Sequence, residues 1–149
     1  MNRAGATTRC ADEAETIKAG RQLASRLAPG DLVALEGALG AGKTVLVRGL
    51  GEGLGLAAEE ISSPSFVLAI DHPEASPPLL HVDLYRLPEG ASLEPLGIDE
   101  ALAGGYIVAV EWGERLPEFW QRAAWRVVIR LEPDDVRSVT IIPPHSEAG

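Results

Sequence analysis

Eight consecutive residues, Gly37-Ala38-Leu39-Gly40-Ala41-Gly42-Lys43-Thr44, carry the clearest chemistry in this chain. They fit the pattern G-x-x-x-x-G-K-[ST], the phosphate-cradling P-loop or Walker A motif. Glycines at these places let the backbone turn sharply, so that successive N–H groups converge on one anion. A helix starting at the lysine adds the positive end of its dipole. Lys43 would reach the β- and γ-phosphates, and the Thr44 hydroxyl would take one place on Mg²⁺. The candidate nucleotide contacts are therefore Gly37, Leu39, Gly40, Ala41, Gly42, Lys43, Thr44 and Val45. The plain alternative is a glycine-rich turn that binds nothing. The pattern arises by chance in about one per cent of chains of this length at average residue frequencies.

A P-loop protein needs an acid at the end of a neighbouring strand, to hold Mg²⁺ or its water, and a group to orient the attacking water. Two acids end apolar runs: Asp83 follows Leu79-Leu80-His81-Val82, and Glu111 follows Tyr106-Ile107-Val108-Ala109-Val110. Both are candidates as metal ligand or water-orienting acid, and both could instead be solvated strand ends. His81 alternates with Asp83 and so shares its face of the strand; it reads equally as a packed structural residue. Arg86 could meet phosphate or pair with surface acids. Ser62-Ser63-Pro64-Ser65 lies where a hydroxyl could sense the γ-phosphate, or is an ordinary Ser/Pro loop. Trp112, Trp120 and Trp125 read as core or interface aromatics.

These residues need elements to position them. Asp31–Glu36 is a short apolar run read as a buried strand, and the helix entered at Thr44 should end among Gly49, Gly51, Gly53 and Gly55. Upstream, Thr7–Cys10 reads as an edge strand and Asp12–Leu27 as an amphipathic helix with acids in its first turns. Downstream, Ser65–Ile70 and Leu79–Leu84 read as antiparallel neighbouring strands across a proline-broken loop. A helix is expected over Leu93–Leu102, interrupted at Gly97, and a strand over Tyr106–Val110. Glu114–Gln121 reads as a short helix containing Pro117. Trp125–Leu131 and Val136–Ile142 form a hairpin. The sum is an α/β fold, a mixed sheet flanked by helices. One P-loop domain spans residues 1–142, and residues 143–149 form a tail expected to be disordered.

Composition bounds the function. A chain of 149 residues is long enough for one core and too short for two. No run approaches the roughly 20 apolar residues of a membrane helix, and Met1–Ala6 lacks the apolar core of a signal peptide. The single cysteine, Cys10, has no metal-ligand company. A cytoplasmic protein with no membrane partner is expected. The net charge of −9 argues against a broad basic footprint for nucleic acid. No DNA partner is expected, and any RNA contact is expected to run through other subunits.

Taken in order, the phosphate loop, Ser63-Pro64-Ser65-Phe66, His81-Val82-Asp83-Leu84-Tyr85-Arg86 and Val110-Glu111-Trp112 resemble the successive motifs of the TsaE (YjeE) family, over about residues 12–142. The loop alone is weakly diagnostic; the His-x-Asp-x-Tyr-Arg segment and the Glu-Trp pair are more specific. The resemblance implies a small ATPase that uses ATP and Mg²⁺ and works with TsaD and TsaB. Those partners install the threonylcarbamoyl group on an adenosine of tRNA, so that tRNA is reached indirectly. It implies that Lys43 binds phosphate and Thr44 binds Mg²⁺. Glu111 and Asp83 would arrange the metal or the water, with Lys43 completing the catalytic set, and Ser65 would stand at a γ-phosphate-sensing position. The stretch around Asp12, Glu13 and Thr16 would lie near the nucleotide base.

Two positions depart from the family pattern. Ala38 stands where an acid is usual, and Val45 where a second hydroxyl is usual. Losing that hydroxyl removes an α-phosphate hydrogen bond worth about 1 kcal/mol, so modest affinity and slow isolated hydrolysis are expected. Two other readings compete: a small-molecule kinase and a nucleotide-gated binding module that does not hydrolyse. The kinase would need arginines clustered in a lid, and Arg48, Arg86 and Arg115 are scattered. A GTPase is disfavoured because the only asparagine is Asn2.

Overall fold

Four short apolar runs make the centre of the molecule. A computed structural model describes residues 5–38, 40–64 and 68–144. Its strands are β1 (Ala6–Cys10), β2 (Leu32–Glu36), β3 (Ala69–His72), β4 (Leu79–Asp83), β5 (Ile107–Glu111), β6 (Trp125–Leu131) and β7 (Arg137–Ile142). The described strands form one sheet in the order β1-β7-β6-β2-β5-β4-β3. β6, β2, β5 and β4 run parallel at the centre, while β7 and β3 flank them antiparallel. Strands buried on both faces need continuous hydrophobic sequence rather than alternation. β2 satisfies this, with Val33 and Leu35 in one core and Leu32 and Ala34 in the other.

The helices are α1 (Glu13–Ala24), α2 (Lys43–Gly53), α3 (Ile98–Ala103) and α4 (Glu118–Ala123). Helices α1 and α2 cover one face, burying Leu23, Leu46, Val47 and Leu50 against the sheet. Ile98 of α3, with Leu116 and Ala124 beside α4, closes the other. Asp12 caps α1 by accepting from the Glu15 N–H at 3.0 Å, and Glu15 Oε1 accepts from the N–H of Ala11, just before the cap, at 2.6 Å. Those two bonds fix where the helix starts.

Helix α2 does not stop at its first glycine. It runs through Gly49 and Gly51 to Gly53, then closes with Gly55 in the left-handed conformation, the Leu56 N–H reaching Gly51 O at 2.9 Å. The glycines serve contact with α1. A Cβ at Gly49 would lie 1.9 Å from Ile17 O, and one at Gly20 would lie 2.2 Å from Leu46 O. The two backbones touch there, which brings the first turn of α1 over the start of α2.

Elsewhere the expected elements hold with small changes. The hairpin pairs Leu131 with Arg137 and Arg126 with Ile142. β3 and β4 are antiparallel neighbours, although residues 65–67, the first half of the run expected to form β3, lie outside the described residues. Gly97, at φ 76°, separates a short 3-10 turn at Glu94–Leu96 from α3. The helix expected over Glu114–Gln121 is instead two pieces, a turn at Gly113–Arg115 and α4, because Pro117 stands just before the second. No helix among the described residues is long and apolar enough to cross a membrane. Pro143 and Pro144 follow β7 without regular structure, and residues 145–149 of the expected tail lie outside the described residues.

Candidate functional site

The parallel strands end at one edge, where α/β sheets place their ligands. β2 runs into the phosphate loop there, and the register puts Glu111 beside Leu35 on one side and beside Asp83 on the other. A cleft of about 270 Å³ opens over these strand ends. Of the sequence candidates, Gly40, Gly42, Lys43, Thr44, Val45, Glu13, Asp83 and Glu111 line it. Ala41 is buried beneath the loop, its N–H donating to Ala38 O at 3.0 Å. Gly37 supports the loop from inside: a Cβ there would come 2.6 Å from Ile129 O. Leu39 and Ser65 lie outside the described residues. Ser63, from the same Ser/Pro stretch, lines the cleft.

Gly40 and Gly42 adopt φ of 81° and 112°, values that favour glycine. A Cβ at Gly40 would meet nothing within 4 Å, so the loop keeps open space where a phosphate would approach. Gly42 forms the N-cap of α2 without a side chain, which leaves the first N–H groups of the helix to an incoming anion. The Lys43 ammonium donates to Gly37 O at 2.5 Å and Ala38 O at 3.0 Å, and sits 4.1 Å from the centre of the Trp112 ring. Burial pushes the Lys43 pKa below its ordinary value, opposed by the nearby charges of Glu111, Glu114 and Asp83.

Two of the expected acids meet the loop differently. Thr44 Oγ1 donates to Glu111 Oε2 at 2.7 Å, and the same oxygen lies 2.6 Å from His81 Nε2. Asp83 is held at both backbone and side chain: its N–H donates to Leu68 O at 2.9 Å, and its Oδ1 accepts from the Tyr85 N–H at 2.8 Å. Both carboxylates are buried, at 4% and 3% exposure. Among the described residues no group of three or more His, Cys, Asp or Glu side chains could hold a metal ion alone. The Thr44 hydroxyl and the Glu111 and Asp83 carboxylates are hard oxygen donors, the kind that suits Mg²⁺, which takes one or two protein oxygens and completes its shell with phosphate and water. Thr44, Glu111 and Asp83 are the residues that would hold it.

Sequence reasoning placed Trp112 in a core or interface, and both Trp112 and Trp120 pack against the second core while Trp125 is buried in the first; Trp112 in addition lines the cleft. It stands at φ 60°, a left-handed conformation that costs a non-glycine residue about 1–3 kcal/mol and recurs at functional sites. That turn lays its ring against Lys43 and within 5.0 Å of the Tyr85 ring, which is 42% exposed at the mouth.

Arg86 is exposed beside the Tyr85 ring and is not part of the cleft wall. Arg115 donates to Leu84 O, to Tyr85 O at 3.1 Å and to Leu87 O at 2.8 Å, fixing the chain after β4. Arg48 donates to Ile61 O at 3.1 Å. Arg137 is a residue of the cleft that sequence reasoning missed. From the start of β7 it donates to Ala41 O at 3.1 Å and Gly40 O at 3.4 Å, and it lines the cleft. Its sequence surroundings carry no signal; only the pairing of β7 with β6 and β1 brings it to the loop.

Residues 10–139 match the family model described as threonylcarbamoyl adenosine biosynthesis protein TsaE. A tRNA threonylcarbamoyladenosine biosynthesis protein TsaE from Streptomyces coelicolor is 47% identical over 131 residues, covering 82% of this chain and 86% of that protein. The protein of that name from Bacillus subtilis is 37% identical over 127 residues, covering 85% and 78%. Among solved structures, the crystal structure of Bacillus subtilis YdiB superposes with a TM-score of 0.73 at 31% identity, over 93% of this chain and 85% of that one.

Proposed function

The chain belongs to the TsaE family of tRNA threonylcarbamoyladenosine biosynthesis proteins, and from that premise we propose that it binds Mg-ATP and slowly hydrolyses it. In this reading it supports tRNA modification by a complex of TsaB and TsaD, and it meets tRNA through those partners. The single observation that carries the reading is the 2.7 Å bond from Thr44 Oγ1 to Glu111 Oε2 at the mouth of the glycine loop. It joins the metal-binding hydroxyl of the loop to an acid from a neighbouring strand, the pairing that phosphoryl-transfer sites of this type require.

The residues divide the work. The amides of Gly40, Gly42, Lys43 and Thr44 would cradle the phosphates, with the dipole of α2 behind them. Lys43 would leave the Gly37 and Ala38 carbonyls for the β- and γ-phosphates. Because the Thr44 proton is directed at Glu111, the lone pairs of its oxygen are free for the metal. A bound Mg²⁺ supplies charge neutralisation across the phosphate oxygens. Glu111 and Asp83, side by side, would arrange the metal or orient the attacking water toward the γ-phosphate, opposite the departing ADP. Glu13 and Thr16 in the first turn of α1 would flank the nucleoside end of the cleft. The kinase reading is not favoured, since Arg48 and Arg115 are bound to backbone carbonyls and do not line the cleft.

The reading is tested by ATP turnover of the purified protein with Mg²⁺, alone and with TsaB and TsaD, using Lys43→Ala as control. Slow turnover alone that rises with the partners is expected. A bound nucleotide that is never cleaved, while tRNA modification proceeds, would instead make the protein a nucleotide-gated binding module.

A further inference from the structure

His81 is the buried group at this site that the mechanism above leaves without work. Its ring is 0% exposed, and its Nε2 lies 2.6 Å from Glu111 Oε2. Its Nδ1 is also buried and finds no hydrogen-bond partner among the described residues. Together these facts fix where the proton of a neutral ring sits. A proton on Nδ1 would leave one buried N–H without an acceptor and set the Nε2 lone pair against a carboxylate oxygen. A proton on Nε2 removes both penalties. His81 Nε2–H therefore donates to Glu111 Oε2, the oxygen that also accepts from Thr44 Oγ1 at 2.7 Å. Both donors fall on one carboxylate oxygen, which leaves Oε1 with no donor among the described residues.

We propose that His81 is a positioning residue for hydrolysis: its Nε2–H locks the Glu111 carboxylate so that Oε1 is the oxygen offered to the attacking water. The proposal rests on the Mg-ATPase reading and deepens it. A carboxylate held by Thr44 alone could rotate about its terminal bond, exchanging its oxygens. A second donor, from a ring packed rigidly in β4, stops that rotation. The alternative is that His81 merely fills the core and satisfies one buried hydrogen bond. Partners that orient a working carboxylate or metal ligand typically change activity by about 10–100-fold when removed, without contacting substrate.

Substitution by two amides separates these readings. The Gln side-chain nitrogen can take the place of His Nε2, whereas Asn is too short to reach Glu111. For His81→Gln we expect kcat within about threefold of the unsubstituted protein, and for His81→Asn a kcat loss of about tenfold or more with KM for ATP changed less than twofold. Equal kcat values for the two variants, a loss carried by KM, or loss of nucleotide binding in both would overturn the proposal. A second readout does not depend on turnover. The chain has three histidines, so the ring ¹⁵N signals can be assigned by substitution. His81 should be the Nε2–H tautomer, with its signals shifted by Glu111→Ala; an Nδ1–H tautomer contradicts the assignment. If the unsubstituted protein turns over no faster than Lys43→Ala, the ATPase reading fails, and the tautomer still decides whether His81 holds Glu111.

Discussion

Thr44 Oγ1 lies 2.7 Å from Glu111 Oε2, so a hydrogen bond joins the last residue of the phosphate loop to the acid that ends β5. Sixty-seven residues separate them in sequence; the parallel pairing of β2 with β5 brings them together.

This pairing predicts how the metal is lost. Thr44→Val removes the hydroxyl while keeping the shape. Nucleotide affinity measured in EDTA should stay within about twofold, because the amides and Lys43 remain. The gain in affinity on adding Mg²⁺ should shrink about tenfold or more. Titration of a fluorescent ATP analogue with and without Mg²⁺ measures both. An equal loss in the two conditions would mean that Thr44 supports the loop rather than the ion.

Arg137 should matter to affinity more than to folding. Its bonds to Ala41 O and Gly40 O brace the loop from β7. Arg137→Ala removes charge-assisted bonds at a partly exposed position, worth about 1 kcal/mol after screening. Nucleotide affinity should fall about fivefold with little change in Tm, as equilibrium binding and thermal melts will show.

Gly49 sets helix propensity against packing. Gly→Ala inside a helix ordinarily gains up to about 1 kcal/mol. Here the new Cβ would lie 1.9 Å from Ile17 O, so α1 and α2 must separate. Overpacking costs typically about 1–3 kcal/mol and wins. Gly49→Ala should therefore lower the midpoint of urea unfolding, and Gly20→Ala should do the same, while Gly55→Ala fails for a different reason, its positive φ.

Those glycines also mark where sequence reading reaches its limit. The strand–loop–helix order, the antiparallel β3–β4 pair, the terminal hairpin and the placement of Asp83 and Glu111 were all legible, because apolar runs and strand-end acids are local signals. The run of glycines was legible as the end of α2, which stops at Gly53, but the packing of Gly49 against α1 was not, since propensity is local while the neighbouring helix is distant in sequence. The cleft-side contact of Trp112 with Lys43 and the bonds of Arg137 to the loop were not legible for the same reason. The first depends on one left-handed peptide after β5, and the second on strand register. His81 was placed on the correct face by alternation, but its partner came from another strand.

Cys10 offers a pH test of the core. It is fully buried, and burial raises its thiol pKa above the ordinary 9.0. The folded protein thus favours the neutral thiol. Its stabilising contribution is complete below pH 9.0 and is lost as pH rises through the higher folded-state value, because the unfolded thiol ionises first. The stability advantage over Cys10→Ala should narrow as the pH rises above 9.0. At pH 8 the folded thiol should react with iodoacetamide on the order of 100-fold more slowly than the unfolded one.

The most direct test of the account is a paired measurement on Glu111→Gln and Lys43→Ala: equilibrium Mg-ATP binding, then single-turnover cleavage at matched occupancy. The account predicts that Glu111→Gln binds ATP within about threefold of the unsubstituted protein and cleaves it at least about 100-fold more slowly, whereas Lys43→Ala fails to bind. Cleavage by Glu111→Gln at the unsubstituted rate would contradict it.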